Sequence, residues 1–383
     1  MVEWKKLGDV CKDVIVPMRD RPKFFDGTTP WCRIEDIEGM YFNKSLSGLM
    51  VSDSVIKKMN LKVFPTGTVI CSCSATLGVC AINTQPLITN QTFIGLVCSD
   101  QVSNRYLYYY MLTRKKELLS LSTTGTIPYV SRDKFEKMII PIPSMPEQKR
   151  IFGILDTFTS SIDNLKQQIT QRRKQYEYYR DQLLDLEGKE GVEMKTLGET
   201  CIIKNGYTPS TKEPSFWENG TLPWFTLEDI RKNGRILKDA IKHITSLGVK
   251  RGGLFPKDSI IISTTATIGE YALIKSDFLC NQQITCLTIK EEMKGHLLPK
   301  YLYYLSDGIG KWCKSHVNGG GSLLIVSTSK LIGLQVPLPT LSEQQRIVSI
   351  LDTFEASIQN LEAQLSQREK QYEYYRNKLL TFE

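Results

Sequence analysis

The chain repeats itself at the length of a whole domain. Val2-Glu3-Trp4-Lys5-Lys6-Leu7-Gly8 returns as Val192-Glu193-Met194-Lys195-Thr196-Leu197-Gly198, and Gln175-Tyr-Glu-Tyr-Tyr-Arg180 returns as Gln371-Tyr-Glu-Tyr-Tyr-Arg376. A unit of roughly 190 residues is far longer than those that stack into solenoids, and it is long enough to bury its own core. The 383 residues therefore read as a tandem pseudo-dimer, whose function uses two related surfaces.

Each copy has a mixed part and a helical part. In the mixed parts, residues 1–143 and 188–339, Val69-Ile70-Cys71 and Ile260-Ile261-Ile262 read as buried strands. Arg105 to Met111 and Lys300 to Leu305 read as short helices, and Gly and Pro punctuate the rest. The helical parts, 144–187 and 340–383, follow Pro141-Ile-Pro143 and Pro337-Leu-Pro339. Ser144-Met-Pro-Glu147 and Thr340-Leu-Ser-Glu343 have the spacing of a capping box, in which hydroxyl and carboxylate satisfy each other's backbone N–H.

Beyond those caps the apolar positions alternate three and four apart. One run is Leu155, Phe158, Ile162, Leu165, Ile169, Arg172, Tyr176, Tyr179, Leu183; the other is Leu351, Phe354, Ile358, Leu361, Leu365, Arg368, Tyr372, Tyr375, Leu379. This is a coiled-coil seam broken at the same step by Arg172 and Arg368, which are expected to face polar partners or to set register. A helix of about 40 residues is roughly 60 Å long and cannot bury such a seam on its own globule. Helix one, ending near Glu187 with Gly188 as its cap, leads into the second globule, so helix two must return antiparallel to it. The expected fold is mixed α/β: two pseudo-symmetric globules separated by two long antiparallel coiled-coil helices. The seam tyrosines read as core, whereas Tyr178 and Tyr374 point off the seam and are candidates for docking a partner.

Well over half of the aligned helical positions are identical between copies. The globules agree only in islands: Trp31 to Ile37 with Trp224 to Ile230, Ala75-Thr-Leu-Gly78 with Ala266-Thr-Ile-Gly269, and Asn90-Gln91 with Asn281-Gln282. Equal helices with unequal globules describe one spacer carrying two different reading heads.

Composition narrows the class. No stretch approaches a membrane span, and the start lacks an apolar signal region, so the expected place is the cytoplasm. The ten cysteines include no Cys-x-x-Cys pair and the three histidines stand apart. No metal site is expected; the cysteines read as buried free thiols in a reducing compartment. The net charge of +8 falls on the globules rather than the balanced helices, which suits a polyanionic partner.

The organisation resembles the specificity subunit of Type I restriction–modification systems over essentially the whole chain. The markers are the Ile140–Ile151 run with its partner Val336–Ile347, the Gly125-Thr126 and Gly321-Ser322 turns, Ser72–Gly78 with Ser263–Gly269, and Gly206-Tyr-Thr-Pro209. In place of Gly-x-Thr-Pro the first copy has Val16-Pro17-Met18-Arg19. The resemblance implies a non-catalytic reader of double-stranded DNA with two target recognition domains, each for one half of a bipartite asymmetric site. It also implies helices that dock two methyltransferase (modification) subunits, which alone bind S-adenosylmethionine, and a further restriction/translocase subunit. The chain itself is expected to bind no cofactor.

No adenine-methyltransferase Asn-Pro-Pro-Tyr run, phosphate loop, nucleophile elbow or His-Glu-x-x-His is present, and Gly319-Gly-Gly321 lacks the Lys-Ser/Thr ending of a phosphate loop. Catalysis is therefore not expected. Because the repeated Asn-Gln pairs are shared, they read as turn caps rather than readers of different half-sites. The divergent basic loops are the better candidates for touching DNA. In the first head these are Arg19, Arg21, Lys23, Asn43 and Lys44; in the second, Tyr207, Lys212, Arg231, Lys232, Asn233, Arg235, Lys250 and Arg251. A tandem-domain coiled-coil scaffold with no nucleic-acid role, and an orphan DNA-binding protein without partner subunits, remain compatible with the same pattern.

Overall fold

The computed structural model describes residues 2–123, 125–317 and 324–382. The second-copy turn Gly321-Ser322 and the glycine run from Gly319 lie outside the described residues. The chain divides into two compact units, Met1–Gln167 with Glu362–Glu383, and Gln168–Leu361.

In unit 1 a five-stranded sheet has the order Cys11–Ile15, Phe93–Cys98, Val69–Ser72, Cys80–Asn83, Tyr41–Phe42. A three-stranded sheet orders Met50–Val51, Thr29–Cys32, Ile88–Thr89, and Glu3–Lys6 pairs alone with Ile139–Ile142. Unit 2 repeats this order: Cys201–Asn205, Ile284–Ile289, Ile260–Ser263, Tyr271–Ile274, Ile236–Leu237; then Lys242–Ile244, Leu222–Phe225, Leu279–Cys280; then Glu193–Thr196 with Gln335–Leu338. The central strands Val69–Ser72 and Ile260–Ser263 are buried at every position, as continuous apolar runs with neighbours on both edges require. The expected short helices are Asn104–Thr113 and the longer Pro299–Ser315. Their tyrosines Tyr106, Tyr109, Tyr301 and Tyr304 are fully buried against the sheets.

The two long helices are Met145–Leu184 and Leu341–Leu379. The first stops before Glu187: Gly188 has a positive φ of 74°, but it lies in the turn beyond, where Leu186 is already packed into the core of unit 2. Within unit 1, Phe158 stacks on Tyr375 at 5.3 Å and Lys166 pairs with Glu369 at 3.6 Å. Rising numbers on one helix meet falling numbers on the other, so these segments run antiparallel. Within unit 2 the pseudo-equivalent stack is Tyr179 on Phe354 at 5.5 Å. Among the described residues the seam arginines have no hydrogen-bond or ion-pair partner and face aromatic rings instead. Arg172 lies 5.8 Å above the Phe354 ring and Arg368 5.7 Å above Phe158, where a weakly hydrated guanidinium keeps its charge on an aromatic face.

The proline-rich run before each long helix is an anchor. Gln148 and Gln344 are fully buried. The Gln148 side chain accepts from Ser103 N–H at 2.8 Å and donates to the Gln101 and Pro143 carbonyls, both at 2.9 Å. Gln344 makes the same three bonds with Leu298, His296 and Pro339. Tyr106 and Tyr301 donate to the Pro141 and Pro337 carbonyls at 2.9 and 3.2 Å. Tyr109 and Tyr304 bond to Asp156 and Asp352 on the helices themselves. Half of the expected box forms in unit 2, where Thr340 Oγ1 accepts from Glu343 N–H at 3.3 Å, but neither start carries the reciprocal glutamate bond. Glu147 and Glu343 turn forward to Arg150 and Arg346, with both oxygens engaged at 2.7–2.8 Å, because a charge-assisted double bond outweighs one backbone N–H. These arginines hold both carboxyls below the usual carboxylate range.

Candidate nucleic-acid interface

The islands that repeat between the heads come together in space. In unit 1, Asn90 N–H donates to Cys32 O at 3.4 Å, Cys73 N–H to Thr92 O at 2.8 Å, Ala75 N–H to Pro128 O at 3.1 Å and Val130 N–H to Cys73 O at 2.8 Å. In unit 2 the matching bonds are Asn281 to Phe225 at 3.1 Å, Thr264 to Gln283 at 3.0 Å, Ala266 to Leu324 at 3.1 Å and Val326 to Thr264 at 2.9 Å. Asn90 and Asn281 cap their own turns: Oδ1 accepts from Thr92 Oγ1 at 2.6 Å in one and from Gln283 N–H at 3.1 Å in the other. The Glu-Asp-Ile island repeats because its aspartate is buried. Asp36 accepts from Arg33 and Leu46 N–H at 2.6 and 2.7 Å, and Asp229 from Thr226 and Ile241 N–H at 2.7 and 2.6 Å.

On this common frame the two heads carry different loops. After Trp31 to Ile37, unit 1 has a single 3-10 turn at Ile34–Asp36 and later a helix Asp53–Met59. Unit 2 has a helix Leu227–Asn233 and later only a 3-10 turn at Ser246–Gly248.

Arg19, Arg21 and Lys23 stand exposed on the loop that follows Cys11–Ile15, and Asn43 and Lys44 are exposed after Tyr41–Phe42. Arg21 is not wholly open: its guanidinium lies 5.2 Å from the Trp31 ring and 5.5 Å from Phe25. The Asn43 carbonyl accepts from the Gln85 side chain. Beside them are two residues that the sequence did not single out, Phe24 exposed and Arg33 half-buried. Phe24 is 70 % exposed, and Arg33 lies 5.9 Å from Trp31 while pairing with Glu35 at 3.0 Å. Phe24 sits among basic residues, a pattern visible in the sequence; the placement of Arg33 depends on the fold.

In unit 2 the candidates separate by partner. Lys212, Asn233 and Arg251 are exposed. Arg231 holds both oxygens of Glu270 at 2.8–3.1 Å, and Lys232 pairs with Glu228 at 2.6 Å; these partners raise the affinity of both cations for their protons. Arg235 donates to Tyr271 Oη at 2.7 Å and covers that ring at 4.4 Å. Tyr207 belongs to an aromatic pocket with Trp217 and Trp224. Its hydroxyl accepts from Lys250 N–H at 2.8 Å and donates to Gly248 O at 3.3 Å, and Lys250 Nζ sits 4.5 Å from its ring. Tyr207 therefore fastens the Gly206-Tyr-Thr-Pro209 entry to the Lys250 loop.

On the helices, Tyr178 and Tyr374 are each 59 % exposed, and each meets its neighbouring tyrosine edge-on, at 5.4 and 5.3 Å. Tyr179 and Tyr375, expected in the core, stack on phenylalanine yet stay 47 % and 41 % exposed, since their stacking covers one ring face only.

All ten cysteines are free, and all but Cys11 and Cys98 are buried. Among the described residues no group of three or more His, Cys, Asp or Glu side chains could hold a metal. Among them, too, no helix is long and apolar enough to cross a membrane.

Comparison with known proteins agrees with the two-unit fold. A family model described as the Type I restriction modification DNA specificity domain matches twice, at residues 1–172 and 189–369. The EcoprrI Type I restriction enzyme specificity subunit of Escherichia coli is 42 % identical over 215 residues, a match that spans 53 % of each chain. The EcoR124I/EcoR124II specificity subunit of the same organism is 36 % identical over 296 residues, covering 73 % of this chain and 70 % of that one. Among solved structures, the S subunit of a Type I restriction–modification system from M. genitalium aligns over 100 % of this chain and 97 % of its own, with TM-score 0.58 and 16 % identity. A chain from a study of type I R-M complex assembly aligns over 99 % and 96 %, with TM-score 0.65 and 18 % identity. The two structural likenesses establish the fold.

Proposed function

Because this chain belongs to the Type I restriction–modification DNA specificity family, we propose that it is the subunit that chooses the DNA site for an associated methyltransferase and restriction complex. Each unit reads one half of a bipartite, asymmetric target in duplex DNA. The observation that carries this reading is the contrast within one chain: the hydrogen-bonded frame is the same in both units, while the exposed basic loops on it differ in sequence, length and secondary structure. Two different loop sets on one frame suit two different half-sites, whereas identical heads would suit a palindrome.

Arg19, Lys23 and Lys44 in the first head, and Lys212, Asn233 and Arg251 in the second, are the foremost contacts. They are exposed, and arginine and asparagine offer paired donors to base edges while lysine favours phosphate. Arg21, Asn43, Tyr207, Arg231, Lys232, Arg235 and Lys250 shape these loops through their own partners and reach DNA only at the edge of that shaping. The closely similar helices, 144–187 and 340–383, present Tyr178 and Tyr374 as matching handles for two copies of a modification subunit. S-adenosylmethionine then belongs to those subunits, and the complex works in the cytoplasm.

Methylome sequencing of the host with and without this gene tests the proposal. A single asymmetric bipartite motif should lose its methylation when the gene is deleted and regain it on complementation. An unchanged methylome would favour a scaffold with no nucleic-acid role or an orphan reader.

A further inference from the structure

Each unit sets out the same small exposed spot, and its chemistry is that of an anion contact. We propose that the Ser-x-x-Ala-Thr-x-Gly turn and a lysine beside it grip one phosphodiester of the duplex on each half-site: Thr76 with Lys115 in unit 1, Thr267 with Lys314 in unit 2. This rests on the reading of the chain as a DNA specificity subunit.

Packing accounts for most of the turn. Ser72 and Ser263 are fully buried, and their hydroxyls accept from Val79 and Glu270 N–H at 3.0 and 2.9 Å. Leu77 and Ile268 fill the core. Gly78 and Gly269 take φ of 87° and 86°, which a side chain would resist. At the tip the frame fixes the backbone but not the side chains: Ala75 and Ala266 N–H donate to the Pro128 and Leu324 carbonyls, both at 3.1 Å, whereas the Thr76 and Thr267 hydroxyls make no hydrogen bond among the described residues. Ala75, Thr76, Ala266 and Thr267 are exposed, and both alanines hold a left-handed φ, 60° and 62°, that a Cβ disfavours. The same exposed Ala-Thr pair with an unoccupied hydroxyl, in two heads whose basic loops differ, indicates a shared external contact. A contact common to both heads cannot tell one half-site from the other, so it falls on the sequence-independent part of DNA.

The lysines reach this spot by different routes. Lys115 opens the helix Lys115–Leu121, and Lys314 closes the helix Pro299–Ser315; in the aligned repeat Lys115 matches Gly310, and Lys314 matches Leu119. Yet each stem lies against the turn glycine. A Cβ on Gly78 would meet Lys115 Cβ and Cγ at 2.8 Å, and one on Gly269 would meet Lys314 Cε at 3.0 Å. Both lysines are exposed, and neither has an ion-pair partner among the described residues. In unit 2 the one acid adjoining the glycine, Glu270, is held by Arg231; in unit 1 that position is Val79. A hydroxyl on the turn and an ammonium whose stem lies against the same turn supply the donors that a phosphate, which only accepts, requires.

The test uses the full chain co-purified with its methyltransferase subunits. Binding is measured across a salt series on two duplexes, one carrying the motif found by methylome sequencing and one scrambled. Thr76→Ala with Lys115→Ala should weaken both duplexes about tenfold and reduce the log–log salt slope by about 1, leaving the motif-to-scrambled ratio unchanged. Thr267→Ala with Lys314→Ala should do the same, and Lys115→Arg or Lys314→Arg should recover most of the loss. Unchanged affinity and slope would overturn the proposal, as would a changed ratio. Loss of the methyltransferase subunits with DNA affinity otherwise intact would overturn it in favour of protein docking. If the unaltered complex binds neither duplex, the specificity reading falls and takes this one with it; if it prefers the motif and the variants match it, only the phosphate grip falls.

Discussion

Arg180 Nη2 lies 3.1 Å from Asp307 Oδ2, with the two side chains only 8 % and 15 % exposed. Asp307 also holds Lys311 at 3.0 Å, and Asp181 bonds Arg180 from the other side at 2.8 Å. The first copy keeps the arginine, Arg376, but has Leu112 and Asn377 where the carboxylates would be, and Arg376 Nε finds no hydrogen-bond partner. Asp307→Ala should therefore destabilise unit 2 by about 2 kcal/mol, because the shielded guanidinium keeps only the solvent-exposed Asp181. Arg180→Met with Asp307→Leu should cost clearly less than the single change. Urea denaturation followed by tryptophan fluorescence reads both, and equal losses would refute the pairing.

Gln344→Leu removes one buried amide and leaves Leu298 N–H and the carbonyls of His296 and Pro339 without their partner. A loss of about 3 kcal/mol is expected, with Gln148→Leu doing the same in unit 1. Faster limited proteolysis at the start of the affected helix would accompany it; a loss below about 1 kcal/mol would show that water takes the amide's place.

The strands and island positions of the globules were legible because continuous apolar runs and paired Ala-Thr-x-Gly turns leave few local choices. The coil was legible because a seam of that length has no other partner. Strand order was not, since it depends on pairings such as Thr29–Cys32 beside Ile88–Thr89, far apart in sequence with nothing local to specify them. Nor was the role of Gln148, which reads as one more polar residue in a charged first turn until its three backbone partners are seen. The glutamate half of each capping box failed for a local reason that spacing alone does not weigh, the arginine three residues beyond each glutamate. Among the site candidates, exposure was legible but partnership was not: Arg231 and Arg251 look alike in the sequence, and only one faces a carboxylate.

Burial raises the acid pKa of the thiols, from 9.0 to about 11 for Cys201 and to about 12 for Cys286. A thiol held neutral in the fold but free to ionise when unfolded stabilises the native state below pH 9, and that contribution is lost as pH climbs toward the folded value. Stability should thus decline on the alkaline side from about pH 9. At pH 8 the native protein should react with iodoacetamide far more slowly than the unfolded one, in which all ten cysteines become available. Mass spectrometry of alkylated peptides would detect any thiol that breaks this pattern.

If the paired helices set the distance between the half-sites, inserting four residues into each adds roughly 6 Å, about two base-pair rises. The methylated motif should keep both half-sites and gain non-specific spacer between them. Altered half-sites with an unchanged spacer, read from the methylome of the altered strain, would rule out a ruler.

The anchors at the start of each long helix have a mechanical consequence. Gln148 and Tyr109 bind the helix of unit 1 to its globule and Tyr106 ties down the strand that leads into it, and Gln344, Tyr304 and Tyr301 do so in unit 2. A helix held at a single point could swivel beneath its head; one held at two, with its lead-in strand tied down, behaves as an axle keyed to its wheel. Any torque that a protein bound along the helix exerts must turn the whole head with it, so a partner seated far from the reading loops can still change the angle at which they meet their target.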